Sequence, residues 1–349
     1  MAEQNKTTAR HKRLSGNNLL LLITFILFVC MYAIGCVIYA QKGFTHVQTF
    51  LNLFISNAGL ICVTCGMTCV MLTGGIDISV GSPVAMDCMI LADGMTNKHM
   101  GAVPLILLVL LIGIIFGLVQ GFLVAYIEIQ PFIVTMAGMF FARGMTAVIN
   151  TNQVPITEES SPLFYGWANA KILFPEFLGY ANKKGKMIAP FIRPTVVVAL
   201  LVVVVIFFVL KYTKFGRILY AVGGNESSAK MMGLNVKRTK MLTYVLSSFL
   251  CSIGGILFCL NSMTGAVTQA KGLEMTAIAS AVIGGTLLTG GVGNVWGSLV
   301  GVLITGTISA LVMTNGKLLS SWSNIMTAAL LCFFILLQSI FAFLKNRNR

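Results

Sequence analysis

The sequence predicts an all-α integral membrane protein of about ten transmembrane helices, with a broken helix near residues 73–83. Three observations carry this expectation. Of the 349 residues, 57% are apolar and only 10% are charged, and the mean hydropathy is +0.89. Apolar runs of about twenty residues recur, and at about 1.5 Å rise per residue each can cross a hydrocarbon core of about 30 Å. The cations are segregated as well. Fourteen of the 24 Lys and Arg fall in the two tails and in one loop, as expected of cytoplasmic segments. The net charge of +14 therefore suits contact with anionic membrane lipid and does not point to nucleic acid.

Residues 1–18, with Lys6, Arg10, Lys12 and Arg13, read as a cytoplasmic tail, and 19–344 as a single transmembrane domain. Asn18 to Ala40 is the first span; Gln41-Lys42-Gly43 follows it without a small-x-small cleavage site, so no signal peptide is expected. Phe50 to Leu72 is the second span and runs into TGGIDISVGSP, Thr73 to Pro83. Gly74, Gly75, Gly81 and Pro83 break the helix there, and Asp77, Ser79 and Ser82 bring polar side chains to it. Non-helical backbone at membrane depth is tolerated only inside protein or beside water. Gly74, Gly75, Asp77, Ser79 and Ser82 are accordingly candidates for a pathway or gate, and a plain turn at the membrane face is the alternative.

Val84 to Asp93 is a short third span with two acids. Asp93 is expected in solvent at the exit, while Asp87 lies deeper with no evident partner. Val103 to Ile127 carries Gly113, Gly117 and Gly121 four apart, a face for close helix packing. The fifth span opens after Pro131 and contains Arg143, expected to snorkel to the outer interface, with lining of the pathway as the alternative. Residues 151–193 form a polar, cysteine-free external loop, and Pro194 to Leu210 is the sixth span.

The loop from Lys211 to Lys240 holds seven cations and one acid, Glu226. So basic a loop should be cytoplasmic. Asn225 can cap a short helix that begins near Glu226, with Ser227 and Ser228 in its first turn and Gly233 as its stop. Gly223, Gly224 and Gly233 would let that helix project at a sharp angle. Its exposed face should show Ser227, Lys230 and Met231, with Ala229 small enough for close approach by a partner. A basic loop that only fixes topology is the alternative. Met241 to Leu260 is the seventh span. The eighth and ninth lie in Thr276 to Leu311, whose glycine block includes Gly293, Gly297 and Gly301 four apart, so these spans should approach a neighbour closely. Asn324 to Leu344 is the tenth, and 345–349 is a cytoplasmic tail with Lys345, Arg347 and Arg349. Ten spans place both tails on one side.

Several chemistries find no footing. No Walker A string occurs, the three histidines are isolated, and all nine cysteines sit in apolar segments. Cys62 and Cys65 form a lone CxxC without a second pair, so packing is their expected role. An ion-coupled secondary transporter using Asp77, Asp87 or Glu128 remains possible from the residues alone.

GGIDISVGS (Gly74 to Ser82) and FGRILYAVGGNESSAKMMGLNVKR (Phe215 to Arg238) resemble the permease subunits of simple-sugar ABC importers, the ribose, xylose and galactofuranose type. TMAGMFFARG, GGTLLTGGVG and LSSWS are similar to the galactofuranose-type member in particular. The resemblance runs from about residue 50 to the end. It implies a multi-pass permease of the bacterial cytoplasmic membrane that imports a neutral monosaccharide and is not itself an enzyme. ATP would be bound by a separate cytoplasmic ABC ATPase, and no cofactor or metal by this chain. Partners would be that ATPase, an extracytoplasmic sugar-binding protein, a second permease and membrane lipid. The ATPase would dock on Gly223, Gly224, Asn225, Glu226, Ser227, Ala229, Lys230 and Gly233. The family usually carries an acid where Thr276 stands, so a role for that acid does not transfer.

Overall fold

The computed structural model describes residues 16–175, 179–181, 187–317, 319 and 321–347. The first fifteen residues and the last two, most of the expected tails, lie outside this range. Thirteen helices are present among the described residues: α1 Gly16–Ile38, α2 Val47–Leu72, α3 Gly81–Thr96, α4 Ala102–Ala125, α5 Pro131–Ile149, α6 Pro162–Asn169, α7 Pro194–Tyr212, α8 Lys214–Gly224, α9 Glu226–Met231, α10 Val236–Ser262, α11 Leu273–Ile283, α12 Val295–Asn315 and α13 Ser321–Arg347. Among the described residues nine apolar segments are long enough to cross a membrane, and α11 is a tenth, shorter one. The six strands are two-residue ribbons: β1 Val154–Pro155, β2 Ile172–Leu173, β3 Tyr180–Ala181, β4 Met187–Ile188, β5 Phe191–Ile192 and β6 Thr264–Gly265. They pair β1 with β6, β2 with β5 and β3 with β4, all antiparallel.

The bundle is built around α2 and α3, which are mostly apolar and buried over most of their length. Such helices belong in a core. Two hydroxyls of α2 are satisfied locally: Thr64 and Thr68 donate to the carbonyls one turn back, and Thr68 also meets Ser298 of α12 at 2.7 Å, whereas the buried Ser82 hydroxyl of α3 has no partner. Cys62, Cys65 and Cys69 are buried along α2 as packing residues. α4, α5 and α7 sit outside this core and turn leucine, phenylalanine and valine outward, including Leu107, Phe140 and Leu201. Such side chains belong against lipid.

Glycine sets the closest helix contacts, as in other membrane bundles. Gly113, Gly117 and Gly121 of α4 pack on α10; a Cβ at Gly117 would stand 2.7 Å from the Cα of Val245. Gly297 and Gly301 bring α12 onto α11, against the backbone of Gly284 and Ser280. Gly293 is not part of that face, because α12 begins only at Val295.

The two ends of the bundle differ. At one end the α8–α9 segment gathers with Leu72, with the loop Gly284–Asn294 and with the ion pair Lys237–Glu128 (2.9 Å). At the other end the described residues between 150 and 193 form a cap instead of an open loop. α6 buries Phe164 and Ala168, β1 joins β6, and Thr96 donates to the Pro155 carbonyl. Asp93 is not in solvent as expected. It is buried at this end, where Asn97 and Asn150 donate to it and Lys98 pairs with it at 3.4 Å.

Candidate functional site: a glycine junction beneath a capped helix

The short helix expected after Asn225 is present. α9 runs Glu226–Met231, and the Asn225 side chain accepts from the Ser228 N–H at 2.8 Å. Gly233 ends it in the left-handed conformation at φ 74°, with the Leu234 N–H returning to the Ala229 carbonyl. That six-to-one closure is the usual use of a glycine after a helix. Glu226 ties α9 to α10 through Lys240 (2.6 Å) and pairs with Lys230 at 3.0 Å. Lys240 above all, with Lys230, holds its carboxyl below the ordinary glutamate range.

Ala229 points the other way from the expectation. It is fully buried against Val222 and Val236, with Ile218 and Leu234 around them. It is therefore the inward anchor of α9, and no partner can approach it. The outward side shows Ser227, Lys230 and two adjacent methionines, Met231 at 82% and Met232 at 66% exposed.

Gly223 is likewise no hinge. A Cβ there would overlap the Leu72 carbonyl and the Gly291 N–H. Three backbones meet at this point: the C-terminal end of α2, the α8–α9 corner and the loop Gly284–Asn294. The Gly291 N–H donates to the Leu72 carbonyl at 2.9 Å. A Cβ at Gly290 would stand 2.8 Å from the Gly74 nitrogen, and one at Gly291 would stand 2.8 Å from the Gly224 Cα. Gly290 and Gly291 also hold positive φ, 86° and 74°, a conformation that costs a side-chain-bearing residue. The Tyr220 hydroxyl donates to the Gly293 carbonyl at 2.9 Å, and burial pushes its pKa up to about 12, so the donor persists at any ordinary pH. Interlocked backbone of this kind transmits displacement, because it has no rotamers to yield. The glycine pattern of both segments was visible in the sequence, but not that the two patterns fit each other.

The broken segment starts from this junction. From Thr73 the chain climbs to Asp77, which caps the 3₁₀ turn Ile78–Val80. The Asp77 carboxylate accepts from the Ser79 N–H (3.1 Å), the Ser79 hydroxyl and the Ser247 hydroxyl of α10 (3.1 Å). Gly75, Asp77, Ser79 and Ser82 are all buried, and only Gly74 of the five is exposed. Asp77 and Ser79 pin the break through these bonds. Asp77→Asn should leave one buried donor facing an amide N–H₂, a cost of about 1–3 kcal/mol. A lower melting temperature in detergent is expected, with no new sodium or pH dependence of function; an unchanged melting curve would mean that the three hydrogen bonds do not hold the break.

Asp87 faces Gly255 of α10 and has Ser252 as its polar neighbour. Glu128 is exposed and paired with Lys237, and among the described residues no group of acids, histidines and cysteines is arranged to hold a metal. A cleft of about 730 Å³ opens between α3, α4 and α5, but its lining is apolar apart from Asp93, Lys98 and Gln120.

Residues 49–335 match the family described as branched-chain amino acid transport system / permease component. The chain is 37% identical to the inner membrane ABC transporter permease protein YjfF of Escherichia coli K12, over 92% of each chain. It is 33% identical to the fructose import permease protein FruG of Bifidobacterium longum, over 97% of this chain and 96% of that one. With the ribose import permease protein RbsC of Haemophilus influenzae it shares 32% over 82% and 83%. No solved structure matches the chain.

Proposed function

From the premise that this chain belongs to the family of branched-chain amino acid transport system permease components, we propose that it is the membrane-spanning subunit of an ABC importer for a neutral monosaccharide. The relatives named for fructose and ribose import support the substrate class; a ribose- or galactofuranose-like sugar is the narrower reading. The basic end, with α8, α9 and the glycine junction, then faces the cytoplasm, and the capped end faces outward. A cytoplasmic ATPase supplies the energy, an external binding protein delivers the sugar, and a second permease completes the path.

The observation that carries this reading is the outward face of α9. Met231 and Met232 stand exposed among cations at the end of a short helix outside the nine apolar spans, where exposed methionines fit a protein partner. The helix is capped, pinned by Ala229 and set directly on the junction. A secondary transporter has no use for such an element. Uptake into proteoliposomes holding the permease, its ATPase and the sugar-loaded binding protein tests the reading. Transport should follow internal ATP and persist when ionophores collapse the proton and sodium gradients. Uptake that stops with the gradients while ATP is held constant would instead establish ion coupling.

A further inference from the structure

α11 is too short to cross a membrane because the span it belongs to is only half helical. α10 gives a ruler for depth: its 27 residues make about 39 Å at 1.5 Å per residue. Asp77 is bonded to Ser247 and Asp87 packs on Gly255, so Gly81, between them in sequence, lies near the middle of α10. At Gly81 a Cβ would stand 2.9 Å from the Ala270 carbonyl and would overlap the Glu274 carboxylate. Gly265, by contrast, touches Cys88, Met89 and Ala92, about 12 Å further toward the capped end by helix rise. The chain therefore re-enters from that end between Gly265 and Gly272, descends to mid-depth and continues as α11 to the glycine junction.

This strap exposes groups that lipid does not accommodate. The Arg143 guanidinium of α5 donates to the carbonyls of Val267 (2.7 Å) and Gln269 (2.8 Å). Ala270 and Gly272 hold positive φ of 53° and 84°. Thr268 and Lys271 are exposed, and one buried oxygen of Glu274 has no hydrogen-bond partner, while its other accepts from the Gly272 N–H. About 15 Å of hydrocarbon would separate Lys271 from either interface, beyond the reach of a four-carbon stem. Irregular backbone and an exposed cation at this depth must face water or protein.

We propose that the strap from Ala266 to Gly272 forms a wall of the solute path, with Thr268 and Lys271 offering hydrogen bonds to the hydroxyls of a neutral sugar. Arg143 is a positioning residue that holds the strap's carbonyls. The inference rests on the sugar-permease reading above. A neutral polyol suits this pair, because a hydroxyl both donates to the threonine oxygen and accepts from an ammonium or hydroxyl.

The test uses the full importer in proteoliposomes, with native cysteines replaced and single cysteines introduced by Lys271→Cys, Thr268→Cys and, as a lipid-facing control, Leu107→Cys. A charged, membrane-impermeant thiosulfonate reacts with a thiolate and so needs water at the site. Cysteine at 271 and 268 should react at least about tenfold faster than at 107, the modification should stop uptake, and turnover with sugar-loaded binding protein should slow the labelling. Labelling no faster than at 107 overturns the wall, as does labelling that leaves uptake intact. Sugar uptake by the unlabelled parent reports separately on the sugar-permease reading, so the two can fail independently.

Discussion

Replacing Met231 and Met232 together by aspartate is expected to release the ATPase from the detergent-purified importer while the permease inserts and folds normally. The two side chains are 82% and 66% exposed and are not part of the small core beneath α9, so the fold loses little by their removal. An interface loses much more. Burying a methionine is worth about 1.5–3 kcal/mol, and a carboxylate desolvated without a partner adds a further cost. The combined effect should weaken association by more than about a hundredfold, each factor of ten being about 1.4 kcal/mol. Pull-down of tagged permease with its ATPase reads this directly, and sugar uptake should disappear with it. Ala229→Glu makes the contrast. It drives a charge into the Val222–Val236 cluster and should destabilise the loop itself, lowering permease yield as well as ATPase recovery. An aspartate pair that still retains its ATPase and transports would leave α9 as a decorated basic loop.

What could be read beforehand follows from the range of the interactions involved. Spans, the break at 73–83 and the Asn225 cap are local, set by hydropathy and by side chains within three residues of the backbone they serve, and the structure has them. The α4–α10 glycine face was also legible, since residues four apart must share one side of a helix. The side of α9 that Ala229 occupies was not legible. A six-residue helix shows too little periodicity to orient itself, and its burial depends on Val222 and Val236, which flank it in the chain. The environments of Asp93 and Arg143 were missed for the same reason. Asn150 and the carbonyls of Val267 and Gln269 lie 57, 124 and 126 residues away, and only Asn97 and Lys98 at Asp93 are near in sequence. The re-entrant strap escaped notice because a span that is half turn and half helix has no hydropathy signature of its own.

Gly223→Ala should uncouple the importer, leaving the ATPase bound and hydrolysing while uptake falls to background. The added methyl group meets the Leu72 carbonyl and the Gly291 N–H, both backbone atoms, so neither can turn aside. The contact must open instead, at an overpacking cost of about 1–3 kcal/mol, and the Gly291–Leu72 hydrogen bond lengthens or breaks with it. That contact joins the segment carrying α9 to the end of α2, hence to the broken segment above it, and to the loop entering α12. Motion imposed on α9 would then reach neither. The adjacent Gly224→Ala is the control, since a Cβ at 224 meets nothing within 4 Å; it should transport as the parent does. Tyr220→Phe guards against a simple folding defect, because it deletes the bond to the Gly293 carbonyl without adding an atom. It should lower uptake per ATP hydrolysed, in the same direction and by less. Measured together, ATPase rate and sugar flux separate the outcomes. A Gly223→Ala importer with an unchanged flux-to-hydrolysis ratio would show that force from the ATPase does not pass through the glycine junction.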